Sequence, residues 1–210
     1  MSAGGGQEFE RERRRALWAL LEAIERGVVD PDALPLLSLI NSLRDCYTTS
    51  SCSGRIQLAA TRLPGEKTRM VVVAKWHEPV SVQELREVLA ACKHGDLWIS
   101  VQGPILHVAC RGLGPALRLL KAAHRAGLKH SGLLWAGRRV IVEIAAADRV
   151  EAPLRLSGRT IVDEGCLGEF VERLNAVLRR TKGRLMRLQS ALADQPREIQ
   201  AEHLVDGLGA

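Results

Sequence analysis

Aromatic side chains are scarce in this chain, which has four Trp, two Phe and one Tyr among 210 residues. Each ring is therefore a rare planar surface. No apolar stretch approaches the roughly 18 residues that a membrane span needs. The first fifteen residues are charged and glycine-rich and lack a signal peptide's apolar centre. A soluble, cytoplasmic protein is expected. The five cysteines, at 46, 52, 92, 110 and 166, are odd in number and show no CxxC spacing, which argues against a disulfide framework or a zinc site. No HExxH occurs, so no metal is expected. Cys110-Arg111-Gly112-Leu113-Gly114 falls between a strand and a helix, where a dinucleotide fold carries its glycines. Leu117 takes the third glycine position and no acidic residue ends the next strand, which argues against a Rossmann site.

What is present is a basic balance and a clear order of elements. Net charge is +6 with a pI near 9.4. Arginines cluster at 11–15 and, with Lys182, at 179–187. Glu8, Glu10 and Glu12 interleave with the first cluster, which reads as a self-paired helix face. The second is the cleaner candidate for a phosphate backbone. Apolar periodicity predicts helices over 8–27, 30–44, 82–95, 114–127 and from Asp163 through Leu185. Ser81-Val82-Gln83-Glu84 is a capping box. Strands are expected at 53–58, 69–77, 97–101, 105–111, 129–135, 139–144 and 152–156, with hairpins at the second and sixth. The class is α+β, a mixed and largely antiparallel sheet with helices packed on it. Ser53-Gly54 and Ser131-Gly132 give a faint echo of internal duplication. Residues 1–194 are expected as one domain and 195–210 as a tail.

The run Thr48 to Arg55 places short donors and acceptors beside one glycine and one arginine. It reads as a ligand cradle, with a solvated Ser-rich turn as the plainer alternative. Arg55 offers a planar fork for carboxylate or phosphate. Three histidines stand at strand ends or within strands: His77, His107 and His130. For each, a hydrogen-bonded structural role is the alternative to a catalytic one. His94, His124 and His203 fall in helix-end or tail positions. Alternation points Cys52 away from Arg55, and a packing role competes with a nucleophilic one. Trp76, Trp98 and Trp135 are candidate stacking planes, Trp98 being the one expected in the core.

Several ordered motifs together resemble the wybutosine-synthesis methyltransferase family of archaea and eukaryotes. They are Tyr47 to Ile56, Trp76-His77, Leu106 to Arg111, Gly127 to Gly132 and Glu151 to Leu154. The resemblance spans about Asp30 to Leu178. It implies S-adenosyl-L-methionine as methyl donor and, as substrate, N4 of 7-(3-amino-3-carboxypropyl)-4-demethylwyosine at position 37 of tRNA(Phe), in the anticodon loop. Methyl transfer to a ring nitrogen needs placement and a proton acceptor, without a metal. Within that reading His77 is the first choice of proton acceptor and His107 the second. Ser51, Ser53, Gly54, Ser131 and Gly132 are expected at the cofactor. Ser50, Arg55, Trp76, Trp135, Lys129 and His130 are expected at the modified base or its arm. The rival reading is a non-catalytic RNA-binding or interaction protein whose Ser/Thr run and arginines hold phosphate.

Overall fold

A computed structural model describes residues 3–65 and 70–194. The expected tail, 195–210, and part of the turn expected at 63–66 lie outside the described residues. Helix α1 (Ala3–Glu25) ends at Gly27, whose φ of +65° lies in the left-handed region that favours glycine. A 3-10 turn (Pro31–Ala33) leads into α2 (Leu34–Ser42). Then come β1 (Cys46–Cys52), β2 (Arg55–Ala60), β3 (Val71–Trp76), α3 (Val82–Ala91), β4 (Leu97–Gln102) and β5 (Ile105–Cys110). Helix α4 (Leu113–Arg125), strands β6 (Gly132–Ala136), β7 (Val140–Ala145), β8 (Arg149–Leu156) and β9 (Arg159–Thr160), and α5 (Leu167–Ala193) complete the order. The capping box forms as expected: Ser81 Oγ accepts from Glu84 N, and the Glu84 carboxylate accepts from Ser81 N.

The α+β class holds, but the strands form two sheets in place of the one mixed sheet expected. Their orders are β1-β5-β7-β6 and β3-β2-β4-β8-β9, and every pairing is antiparallel. The chain passes between sheets at Ser53-Gly54, at Gly103-Pro104 and at residues 146–148. These crossings touch. A Cβ on Gly54, whose φ is +100°, would stand 3.0 Å from the Gln102 carbonyl oxygen. One on Gly103 would stand 2.9 Å from Ala146 Cβ and 3.2 Å from Asp148 O. Ser53-Gly54 is therefore a crossing, whereas Ser131-Gly132 opens the β6–β7 hairpin, so the two Ser-Gly pairs do different work.

Each sheet turns one apolar face inward. Leu106, Val108, Cys110, Val140, Val142 and Ile144 pack on α2, α4 and the second half of α5. Ile56, Leu58, Leu97, Ile99 and Val101 pack on α3 and the first half of α5. At about 1.5 Å per residue, α5 runs roughly 40 Å and serves both cores.

The Thr/Ser run is a strand at a sheet edge. A core strand would bury apolar groups, but an edge strand tolerates short polar ones, and the register shift between Thr48 and Ser50 bends it. Asn41 satisfies the edge at Thr48, accepting its N–H at 2.9 Å and donating to its Oγ1 at 2.8 Å.

Among the described residues Glu8, Glu10 and Glu12 pair with the first sheet instead of with the arginines of their own helix. Glu8 pairs with Arg138 at 3.1 Å, Glu10 with Arg111 and Glu12 with Arg139, so α1 is strapped across the outer face of the first sheet. Phe9, Tyr47 and Ala109 form a small core beneath it. Burial raises the Glu12 pKa, but the Arg139 and Tyr47 hydrogen bonds outweigh it and hold the carboxyl below its ordinary range. Burial is also the main cause that pushes the Tyr47 phenol up to about 12. The Glu12 contribution to stability is thus complete above its unfolded pKa and lost as pH falls through the lowered folded value. Glu12→Gln should cost about 1 kcal/mol near neutrality and flatten the acid limb of the stability curve. Denaturant titrations at pH 7 and pH 3 check both; an acid limb identical to wild type would contradict the assignment.

Candidate functional site

Antiparallel register lines up one rung across the first sheet: Ser50, His107, Glu143 and Gly132. Directly paired residues share a face, so the three side chains meet. Ser50 Oγ is 2.8 Å from His107 Nδ1, and His107 Nε2 is 3.1 Å from Glu143 Oε2. In the neutral ring a proton on Nε2 would be donated to the Glu143 carboxylate, which leaves Nδ1 to accept from Ser50. Ser50 is exposed, and His107 and Glu143 are each about one-third exposed. Trp135, opposite Ile141, falls on this same face and is 64% exposed. Its indole rests on Gly137, where a Cβ would come within 2.5 Å of Nε1. The rung alongside, Tyr47 and Ala109, is covered by α1.

The next rung the other way carries Cys52 and Ile105 and leads to a second polar centre. Asp30 begins a helical turn, but its side chain makes no capping bond. Instead Oδ2 accepts the Ser53 N–H at 2.7 Å, and Oδ1 lies 3.0 Å from His77 Nδ1. Cys52 lies close to both. Contrary to the alternation argument, Arg55 turns back toward Cys52, its Nη1 3.9 Å from the sulfur, because the Gly54 crossing breaks the pleat between them. Among the described residues six buried side-chain polar atoms lack a hydrogen bond, and three are here: Ser53 Oγ, Arg55 Nε and His77 Nδ1. Buried polar atoms are normally satisfied, so this concentration marks the spot. Arg55 also has no carboxylate partner among the described residues.

Helix α5 fixes this centre. Asn175 grips Val80 through both amide atoms, accepting from N at 2.9 Å and donating to O at 2.8 Å. Lys182 joins Asp32 at 2.7 Å and Glu78 at 3.0 Å, holding the segments that carry Asp30 and His77 together. Burial opposes the Lys182 charge, but the bonds to Asp32 and Glu78 prevail and raise its pKa.

Other expected site residues are placed differently. Ser51 pairs with Leu106, on the face opposite Ser50, so the pleat divides the expected cradle. Ser53 and Gly54 are buried. The Ser131 hydroxyl is spent internally, donating to Leu128 O at 2.7 Å and accepting from Ala145 N at 3.1 Å. Lys129 and His130 are exposed beyond α4. Trp76 sits opposite Ile56 and packs on the second core. The basic stretch of α5 is largely committed: Arg180 and Arg184 to Asp148, Arg179 to Glu172, and Arg187 to Ala126 O. A concavity beside α1, lined by Glu8, Glu10, Arg11 and Arg111, lies outside this strip, and Arg111 is already held by Glu10 and Asp45. Sequence reading missed Glu143 and Asp30. Glu143 was visible as the one acid inside an apolar strand.

The Ser50–His107–Glu143 rung suits a transferase that needs placement and a proton acceptor. Residues 11–194 match the family model described as Methyltransferase TYW3, and the chain belongs to that family. It is 38% identical over 187 residues to a Thermococcus kodakarensis protein named tRNA(Phe) 7-((3-amino-3-carboxypropyl)-4-demethylwyosine(37)-N(4))-methyltransferase 1, covering 89% of this chain and 94% of that one. A Pyrococcus furiosus protein of the same name is 40% identical over 185 residues, covering 88% and 94%. A solved Pyrococcus horikoshii structure superposes with a TM-score of 0.85 at 38% identity, covering 89% of this chain and 97% of that one. The chain is accordingly a methyltransferase, and the non-catalytic reading is set aside.

Ser131→Ala leaves the Ala145 N–H without its partner and takes from the Leu128 carbonyl one of two donors, the other being the Ser131 N–H at 3.2 Å. It should lower stability by about 1–3 kcal/mol, while the methylation rate per folded molecule stays near wild type. Rates normalised to folded protein decide this, and a large drop would return Ser131 to the site.

Proposed function

We propose that this protein transfers a methyl group from S-adenosyl-L-methionine to N4 of 7-(3-amino-3-carboxypropyl)-4-demethylwyosine at position 37 of tRNA(Phe), in the anticodon loop and in the cytoplasm. The family and the names of its close relatives support the reaction; the Ser50–His107–Glu143 rung carries the assignment of residues.

The cofactor, when bound, supplies an electrophilic methyl carbon. The residues present fit it and the substrate's arm: both carry a carboxylate, and Arg55 is a guanidinium with no acidic partner among the described residues. Gly132, lacking a side chain beside Glu143, leaves space for a flat ring next to Trp135. Trp135 supplies the plane on which an unstacked base rests.

Sequence reasoning ranks His77 ahead of His107 as proton acceptor, and the geometry supports the reverse. Ser50 is exposed on the face that Trp135 shares, whereas His77 Nδ1 is buried against Asp30. As the ring nitrogen is methylated, Ser50 Oγ takes the departing proton and passes its own to His107 Nδ1. Glu143, on the far nitrogen, then stabilises the imidazolium.

His107→Ala should slow single-turnover methylation by roughly 10²–10⁴-fold with cofactor affinity little changed, and Glu143→Gln should slow it less. A wild-type rate for His107→Ala removes the relay. Trp135→Ala should weaken tRNA binding by about 1–3 kcal/mol; unchanged affinity in a filter-binding titration would count against stacking.

A further inference from the structure

Asp30, Cys52 and His77 come from three separate segments: the turn before α2, the end of β1 and the residue after β3. One ligand-type atom from each lies within 4.8 Å of the other two, and all three residues are half-buried. Asp30 Oδ1 and His77 Nδ1 are 3.0 Å apart, yet Nδ1 is buried and makes no aligned hydrogen bond. The ring nitrogen is thus left without a hydrogen-bond partner beside a carboxylate oxygen. Around a tetrahedral zinc ion, with bonds of about 2.0–2.3 Å, neighbouring ligand atoms stand about 3.3–3.8 Å apart, so the cluster closes on a cation with about 1 Å of movement. The second Asp30 oxygen is already fixed by the Ser53 N–H, the outer support that orients a ligating carboxylate.

We propose that Asp30, Cys52 and His77 form a three-ligand site for a thiophilic divalent cation of the zinc type, with its fourth position open toward the Ile105 and Ser50 side of the strip. Oxygen, nitrogen and sulfur together select such an ion over magnesium or calcium, which take oxygen ligands. A carboxylate and a thiolate balance its two charges. Arg55, 3.9 Å from the Cys52 sulfur, is the competing cation and must swing aside when the metal enters. The site goes beyond methyl transfer and does not depend on it.

The test uses the full-length chain, stripped with a chelator and titrated with Co²⁺ and then Zn²⁺. One Co²⁺ per chain is expected, with thiolate-to-cobalt charge-transfer absorption that Zn²⁺ abolishes by displacement. Cys52→Ser should remove that absorption, while Cys92→Ser and Cys166→Ser keep it. Asp30→Asn should weaken binding at least about 10-fold, and Arg55→Ala should tighten it several-fold. If Asp30→Asn does not fold, His77→Gln takes its place with the same expected loss. Absence of stoichiometric Co²⁺ binding, or charge-transfer absorption that survives in Cys52→Ser, overturns the proposal whatever the methylation rate.

Discussion

The tight stacking of three sheet-to-sheet crossings is the constraint on which the architecture rests. Gly103-Pro104 lies against Ser53-Gly54 on one side and the 146–148 segment on the other, and Thr181 of α5 also lies against Gly103. Side chains at either glycine would push the backbones apart, and with them the two sheets. Asp148, in the third crossing, is clamped by Arg180 and Arg184 of the same helix. The sheets are thus joined at one point and propped on one long helix. The polar strip ends at this junction because β1 delivers Cys52 and Ser53 there.

Helix α5 has a second role that its basic composition disguises. Its cations do not wait for a phosphate backbone; Lys182, Arg180 and Arg184 are spent on the acids of the turns around the site. Asn175, mid-helix and buried, satisfies both backbone groups of Val80. The loops bearing Asp30 and His77 are therefore held by a rigid element, as a site requiring placement demands. Arg55, part-buried at this junction, has no carboxylate partner among the described residues.

The helices, the capping box and most strands were legible from periodicity and caps, because each is set by local sequence. The division into two sheets was not, since it depends on which strands meet across 30 or more residues and on backbone contacts at Gly54 and Gly103. At the site, His107 and Ser50 could be named but their partnership could not: it comes from a register that the bulge at Thr49 shifts by one residue. Asp30 was passed over because nothing local marks it: its backbone opens the 3-10 turn, and only the fold reveals that its carboxylate serves Ser53. Ser131 erred the other way, a hydroxyl that seemed free until β7 came to rest against it.

The strapping of α1 bears on heat. Its hold on the first sheet combines the buried Phe9–Tyr47–Ala109 contact with three ion pairs, Glu8, Glu10 and Glu12 against Arg138, Arg111 and Arg139, and Arg111 lies over the Phe9 ring at 4.7 Å. Removing water from charged groups costs less as temperature climbs, while the gain from covering apolar area levels off. The helix that borders the Ser50–His107–Glu143 rung is thus fastened in part by the kind of contact that weakens least on warming.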